Sequence, residues 1–176
     1  MSVGVPATFA AGCFWGTERY FVKRFGDVLL SHEVGYMGGK EVDEVTYPMV
    51  KTGETGHAEV LHITYNPDKV SYQQLLDFFF RMHNPTMVNR QAGDIGTQYR
   101  SAIFYHNAQQ MNEAKEYIAR LNGADPNLRA EMVKAFGDAK VVTTLEKAGR
   151  FYTAEEYHQK YLEKNPDGYC AHRIYW

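Results

Sequence analysis

The chain has 176 residues, 44% of them hydrophobic, and its 19 basic and 21 acidic residues give a net charge of -2. That length suits a single domain whose core needs no disulfide framework for stability. The near-zero charge leaves no electrostatic footprint for nucleic acid or an anionic membrane, so we predict neither as a partner.

We expect no targeting segment at the start of the chain. The sequence MSVGVPATFA lacks the basic and long apolar regions of a secretory signal and the Arg-rich composition of a transit peptide. No later run reaches transmembrane length. We therefore expect a cytoplasmic protein, in which two cysteines indicate catalysis or redox sensing rather than a structural disulfide.

The first predicted unit is a strand and a helix with a cysteine between them. Residues 7–11 form a short apolar strand, Gly12 permits a tight turn, and helix-compatible residues run over 15–25. Cys13 then lies at a helix N-terminus, where free N–H groups and the helix dipole lower a thiol pKa toward neutrality. The position alone fits either a reactive thiolate or a small buried hydrophobic side chain.

Two more strands follow this helix. The alternation of apolar residues predicts a second strand over 28–36 and a third over 57–65. The polar stretch 41–56 between them is predicted as a loop, with one helical turn at 47–51.

Capping patterns mark the helices of the second half. Ser71 and Gln74 form a capping box that opens the clearest helix of the chain, and Asn107 caps another that ends at Gly123. The same half contains a predicted loop over 84–98 and predicted strands over 101–105 and 141–145.

The C-terminal region predicts one more helix and an irregular tail. Thr153 and Glu156 form a third capping box, and the helix they open must end before 165–166, an Asn-Pro pair. A turn at 167–168 leads into the tail, which contains Cys170. Together the elements predict one α/β domain with helices packed on a mixed or antiparallel sheet.

The third predicted strand places a carboxyl group in an apolar row. Glu59 shares its face of the strand with Leu61 and Ile63. If that face is buried, desolvation raises the pKa of Glu59 and keeps the carboxyl protonated at neutral pH, as a general acid requires. The alternative is an ordinary carboxylate that reaches solvent past the edge of the sheet.

Five motifs span nearly the whole chain in a fixed order. They are GCFWGTE at 12–18, GYMGG at 35–39, GHAEV at 56–60, GDIGTQYRS at 93–101 and EEYHQKYLEKNPDGYC at 155–170. Together they resemble the A-type peptide methionine sulfoxide reductases. The resemblance implies one such domain over 1–176, a two-layer α/β sandwich of the ferredoxin-like plait type with a long irregular tail over about 165–176.

The same resemblance implies roles for the first motif and for the strand carboxyl. Cys13 would attack the sulfur of a methionine S-sulfoxide, in a protein or as the free amino acid, and Glu59 would donate a proton to its oxygen. Phe14 and Trp15 would line an apolar pocket for the substrate methyl group. These four residues account for the nucleophile, the acid and the methyl contact, with neither a metal nor a cofactor.

Three further residues are implied to act on the sulfoxide oxygen or beside it. Tyr47 and Tyr99 match the two tyrosines of the family that hydrogen-bond this oxygen, and Asp94 matches its acidic pocket residue. Taken alone, each has an ordinary explanation, since tyrosine is common at half-buried positions and aspartate in turns. The family often has Asn before this aspartate, where the present chain has Gly93.

Recycling is implied to run through the second cysteine. Reduction would leave a sulfenic acid on Cys13, and a sulfenic acid condenses with a nearby thiol. The resemblance implies that Cys170 supplies this thiol from a flexible tail, and that a thioredoxin then reduces the Cys13–Cys170 disulfide. Other family members often have a further resolving cysteine, where this chain has only residues 171–176.

Three other functions fit parts of the sequence. Seven histidines allow a metal site, although the HExxH pattern is absent and we predict no metal. A Cys-His hydrolase would use Cys13 with a nearby imidazole. A redox-switched binding module would hold a partner's methionine between Phe14 and Trp15 without turnover.

Overall fold

The computed structural model describes residues 3–176, and residues 1 and 2 of the predicted domain lie outside this range. In chain order the strands are β1 (Val5–Ala11), β2 (Leu29–Met37), β3 (Ala58–Tyr65), β4 (Arg90–Gln91), β5 (Asp94–Ile95), β6 (Ser101–Tyr105), β7 (Thr144–Lys147) and β8 (Tyr152–Thr153). The α-helices are α1 (Phe14–Phe25), α2 (Tyr47–Lys51), α3 (Tyr72–Arg81), α4 (Ala108–Ala119), α5 (Pro126–Phe136) and α6 (Tyr161–Lys164). Within the described range no helix is long and apolar enough to cross a membrane.

Six of the strands form one mixed sheet in the order β7-β6-β1-β3-β2-β8. β1 lies between β6 and β3 and pairs antiparallel with both, while β7 runs parallel to β6 at one edge. β4 and β5 form a separate two-stranded hairpin. The predicted α/β class with a mixed sheet is confirmed.

The main core lies between this sheet and the helices α1 and α3. Phe9 of β1 contacts Phe21 of α1 at a ring-centroid distance of 5.3 Å and Phe79 of α3 at 5.2 Å. The predicted capping box of α3 is present, with the Gln74 backbone N–H donating to Ser71 Oγ at 3.1 Å. Because large side chains of β1 are buried against two helices, the end of β1 provides a rigid platform.

Two predictions for the second half were wrong in extent. The predicted strand over 141–145 begins only at Thr144, where pairing with β6 starts. The predicted loop over 84–98 contains the short β4–β5 hairpin. Helix α5 was missed, although Asp125 caps it by accepting hydrogen bonds from two backbone N–H groups.

The capping box predicted at Thr153 and Glu156 was also wrong. Thr153 pairs with Gly35 in the sheet as part of β8, and residues 154–155 after it are not helical, so it caps no helix. The following segment forms a single 3₁₀ turn at Glu156–His158, and the regular helix begins only at Tyr161. Sheet pairing with a strand distant in sequence overrides the local capping pattern.

Candidate active site

Cys13 lies where β1 passes into α1. β1 ends at Ala11, Gly12 turns the chain with a φ of +87°, and Cys13 is the N-cap residue of α1. Glycine is suited to this turn because its φ is positive and because a side chain there would meet Gln91 at 2.6 Å. The half-buried thiol is thus fixed between the last residue of a core strand and the first turn of a helix.

The pKa of Cys13 is shifted in the direction opposite to the prediction. Burial raises the pKa of the thiol well above its ordinary value, and the nearby carboxyl of Glu59 raises it further. A hydrogen bond from the Trp15 backbone N–H lowers it by less. Desolvation outweighs the helix N-terminus, so the resting side chain is a neutral thiol.

Glu59 lies beside this thiol and is only 2% exposed. Its Oε1 accepts a hydrogen bond of 3.1 Å from the backbone N–H of Phe14, the first residue of α1. Burial raises the pKa of the carboxyl to about 8, the Phe14 N–H lowers it by less, and the charge of Asp94 adds a small increase. The carboxyl is therefore protonated at neutral pH.

The two tyrosines and the aspartate predicted for the site lie in the same cluster. The hydroxyls of Tyr47 and Tyr99 share a hydrogen bond, and burial followed by the charge of Glu59 raises the pKa of both. Asp94 accepts a hydrogen bond of 3.0 Å from the hydroxyl of Tyr169. The structure therefore brings the hydroxyls of Tyr47, Tyr99 and Tyr169 and the carboxyl of Asp94 together near Cys13.

Phe14 and Trp15 point to different surroundings. Phe14 is buried and packs against the rings of Tyr36, at a centroid distance of 5.7 Å, and His158, at 5.1 Å. Trp15 is half-buried, stacks on Tyr161 at 3.8 Å and donates from Nε1 to Nδ1 of His158 at 3.0 Å. Both aromatic side chains thus share His158, which lies between β8 and α6, as a neighbour.

The second cysteine already lies at the start of α1. Cys170 is a free, half-buried thiol, and a methyl carbon built at Gly16 would lie 3.0 Å from its Sγ. The tail around it is docked rather than free to swing, since Nε2 of His172 donates to the carbonyl of Ala11 at 2.5 Å and the N–H of Tyr175 donates to Arg81 at 2.8 Å. The flexible tail expected from the sequence is corrected to this extent.

Comparison with known proteins assigns the family. The model of the peptide methionine sulfoxide reductase family matches residues 6–175. MsrA of Methanothermobacter thermautotrophicus is 51% identical over 164 residues, which cover 93% of this chain and 89% of that protein. The chain belongs to the peptide methionine sulfoxide reductases.

Solved structures of the family share this fold. Reduced Mxr1 of Saccharomyces cerevisiae superimposes with a TM-score of 0.84 at 39% identity, covering 98% of this chain and 93% of that one. Mxr1 in complex with Trx2 gives a TM-score of 0.61 at 28% identity, with 98% and 91% coverage. The present chain is thus an oxidoreductase related to MsrA along nearly its whole length.

In this methionine sulfoxide reductase, Glu155, to which the sequence analysis gave no role, links β2 to the start of α2. The carboxylate of Glu155 accepts hydrogen bonds from the hydroxyl of Tyr36 at 2.9 Å and from the backbone N–H of Tyr47 at 3.0 Å. His158 is buried and contacts the rings of both Phe14 and Tyr47. Both residues lie in the EEYHQK motif, which supplied the only sequence signal for them.

A second unassigned residue, Glu18, fixes the segment that holds Trp15. Its buried carboxylate accepts a hydrogen bond from the backbone N–H of Lys160 at 2.7 Å and pairs with Nδ1 of His32 at 2.7 Å. Lys160 has a φ of +54°, an unfavourable value for a residue with a side chain. The Glu18 contact helps to stabilise this strained turn directly before α6.

The site of this reductase favours acid-assisted attack by a thiol over the other functions. Within residues 3–176 no cluster of three or more His, Cys, Asp or Glu is arranged to hold a metal ion. Among the same residues no imidazole hydrogen-bonds to the thiol of Cys13, whose ionisable neighbours include Glu59, Asp94 and Cys170. The arrangement therefore lacks the imidazole base of a Cys-His hydrolase and instead holds a protonated carboxyl beside the sulfur.

Proposed function

We propose that the protein is a single-domain enzyme that reduces methionine S-sulfoxide to methionine, both in oxidised proteins and as the free amino acid. The observation that carries this proposal is the buried, protonated carboxyl of Glu59, held on the Phe14 N–H beside the thiol of Cys13. A sulfoxide oxygen leaves only after protonation, so a thiol reductant needs a neutral acid next to it.

The first step transfers the sulfoxide oxygen to Cys13. The sulfur of Cys13 bonds to the sulfoxide sulfur while Glu59 protonates the oxygen, and the thiol proton of Cys13 replaces the one that Glu59 gave. The hydroxyl then passes from the substrate sulfur to the sulfur of Cys13, so that the substrate S–O bond and the new S–S bond both break as methionine leaves. Tyr47 and Tyr99 donate hydrogen bonds to the oxygen as it gains negative charge. The products are methionine, whose sulfur has gained two electrons, and a sulfenic acid on Cys13.

The raised pKa of Cys13 fits this exchange of protons. A thiolate and a carboxylate side by side in a buried site would repel each other and would lose hydration. Holding one proton on each group in the resting enzyme removes that cost. The substrate oxygen then receives the first proton and the system passes through the step without two adjacent negative charges.

The second step regenerates the thiol through Cys170. Its thiol condenses with the sulfenic acid, so that a Cys13–Cys170 disulfide forms and water leaves. A thioredoxin then reduces the disulfide by thiol exchange. Support comes from the position of Cys170 at the start of α1 and from the related Mxr1, which was solved in complex with Trx2. The cytoplasm, which keeps both thiols reduced, suits this cycle.

The test uses the two diastereomers of a blocked methionine sulfoxide with dithiothreitol as reductant. We expect repeated turnover of the S epimer and no reduction of the R epimer, with Cys13→Ser as the inactive control. Equal rates for both epimers, or reduction of R alone, would contradict the proposal. A redox-switched binding module would convert at most one molecule per chain.

A further inference from the structure

His172 is buried beside Cys170 with one ring nitrogen bonded and the other without a partner. Nε2 lies 2.5 Å from the carbonyl oxygen of Ala11. A carbonyl only accepts hydrogen bonds, so Nε2 carries a proton. Burial lowers the pKa of His172 to about 4, which keeps the ring neutral and leaves Nδ1 as a bare acceptor.

This acceptor has no use in the resting fold. His172 is 5% exposed, and its Nδ1 is buried with no hydrogen-bond partner in the part of the chain that the structure describes. Leaving a buried acceptor unpaired costs about 1–3 kcal/mol. A catalytic role is one physical explanation of such an atom.

The thiol of Cys170 borders the same small space. A methyl carbon built at Gly16 would lie 2.1 Å from Nδ1 of His172 and 3.0 Å from Sγ of Cys170. In the resting state the thiol of Cys170 makes a long contact of 4.0 Å with the carbonyl of His172, and that carbonyl already accepts a hydrogen bond from the Tyr20 hydroxyl at 2.9 Å. The absence of a side chain at Gly16 thus leaves the unpaired Nδ1 of His172 open to the thiol of Cys170.

We propose that His172 is the base that takes the thiol proton of Cys170 when Cys170 attacks the sulfenic acid of Cys13. This inference rests on the proposed function, in which Cys170 resolves that sulfenic acid. The Ala11 contact fixes the tautomer of the ring and therefore directs the free lone pair of Nδ1 toward the space over Gly16.

The step is balanced without a further reagent. The thiol proton passes from Cys170 to Nδ1, the sulfur of Cys170 attacks the sulfur of Cys13, and the S–O bond breaks. The hydroxyl leaves as water with the proton of Glu59. The imidazolium of His172 then returns its proton to solvent, from which Glu59 is reprotonated, so Cys170 is oxidised and the sulfenic sulfur of Cys13 is reduced.

The ionisable groups around the ring predict the pH dependence. His172 interacts with Cys170 and Tyr20 on one side and with His83 on the other. Burial lowers the pKa of His83 to about 3 and raises that of Tyr20. Both side chains are therefore neutral between about pH 5.5 and 7.5. The ring of His172 is likewise neutral over this whole range, so the lone pair of Nδ1 stays free.

The test measures resolution separately from methionine release. Each variant is mixed with one equivalent of methionine S-sulfoxide, and methionine and the disulfide are quantified in quenched samples between about pH 5.5 and 7.5. His172→Gln keeps an amide N–H that can reach Ala11 but removes the base. His106→Gln, which removes an imidazole bonded to Thr8 far along the sheet, is the matched control.

We expect His172→Gln to release its first methionine at a rate near that of the wild type. Its disulfide should form roughly 10²-fold more slowly at about pH 6, and the rate should rise about tenfold per pH unit, because only preformed thiolate can then attack. Wild type and His106→Gln should show a flat profile. Fast, flat disulfide formation in His172→Gln would overturn the inference.

A second variant separates proton transfer from tail docking. The side chain of His172→Asn is too short to reach Ala11. If His172 only docks the tail, disulfide formation should be slow in His172→Asn and normal in His172→Gln. That result would overturn the inference. A base predicts a steep pH profile in both. If the wild type released no methionine, the proposed function would fail at its first step; if it released methionine but formed no disulfide, the resolving role of Cys170 and this inference would fail together.

Discussion

Two sides of the active site are held in place by different means. The strand–helix side consists of Cys13 at the N-cap of α1, Phe14 at the first position of α1 and Glu59 on β3. The C-terminal side, residues 152–176, contains little regular structure. It is held by single hydrogen bonds across the chain, for example from Tyr47 to Glu155 over 108 positions and from His172 to Ala11 over 161.

This contrast separates chemistry from positioning. The nucleophile and the acid are on core elements that keep their geometry, as a reacting pair requires. The residues that hold Trp15, Tyr47 and Cys170 belong to a segment whose individual contacts can break without unfolding the sheet. Changes on the strand–helix side should therefore affect the chemical step, and changes on the C-terminal side should affect substrate fit and recycling.

The sharpest test of this division replaces each of the two cysteines by serine in a separate variant. Cys13→Ser should abolish reduction even with excess dithiothreitol, because it removes the attacking thiol. Cys170→Ser should release one methionine per enzyme and then stall as a sulfenic acid when thioredoxin is the only reductant. Methionine per enzyme and mass spectrometry of the stalled protein measure both. Full thioredoxin-driven turnover by Cys170→Ser would show that the C-terminal side is not needed for recycling of Cys13.

Replacing the acid is expected to have the next largest effect. Glu59→Gln keeps the size of the side chain but cannot donate the carboxyl proton, so the rate of the first turnover should fall by roughly 10²-fold or more. The matched control is Glu163→Gln, at an exposed position of α6, which should keep the wild-type rate. Most activity retained by Glu59→Gln at pH 7 would show that the tyrosines supply the proton instead.

The burial of Glu59 also predicts how stability depends on pH. Its pKa in the folded protein is about 8, above that of an unfolded chain, so only the unfolded state ionises between these values. The contribution of Glu59 to the free energy of unfolding is therefore fully present at low pH and is lost as the pH rises toward 8. Relative to wild type, Glu59→Gln should gain about 1.4 kcal/mol per pH unit between about pH 5 and 8, measured by urea unfolding. Parallel curves would place the carboxyl in solvent.

The strand–helix side could be predicted from sequence because its causes are local. Gly12 and the helix-forming residues after it place Cys13 at the N-cap, and alternation in β3 places Glu59 on the same face as Leu61 and Ile63, which belong to the main core. The direction of the Cys13 shift could not be predicted, since it depends on how deeply the thiol is buried and on a carboxyl 46 positions away.

The C-terminal side could not be predicted because its causes are distant in sequence. Thr153 looks like a helix cap locally, but pairing with Gly35 draws it into the sheet. Likewise, nothing near Lys160 indicates its left-handed backbone, which depends on Glu18 in α1. The family motifs located these residues without indicating what each one contacts.

Removing the Glu18 carboxylate should therefore loosen the C-terminal side while sparing the chemistry. Glu18→Ala removes the acceptor of the Lys160 N–H, and the loss of this part-buried hydrogen bond should cost about 1 kcal/mol of stability. KM should rise by a larger factor than kcat falls, because Trp15 loses a fixed neighbour. Glu163→Ala in α6 is the control. A fall in first-turnover rate with unchanged KM would place Glu18 on the chemical side of the division.

The smallest expected effect compares a capping box that forms with one that does not. Ser71→Ala removes the acceptor of the Gln74 N–H at the start of α3, a helix that packs on the core, and should cost about 1 kcal/mol. Thr153→Ala removes only an exposed hydroxyl that donates to Glu33 at 3.3 Å, so we expect a change within about 0.5 kcal/mol. Urea unfolding at one pH measures both. Equal losses in the two variants would mean that Thr153 does cap a helix, and that local pattern rather than sheet pairing organises the start of the C-terminal side.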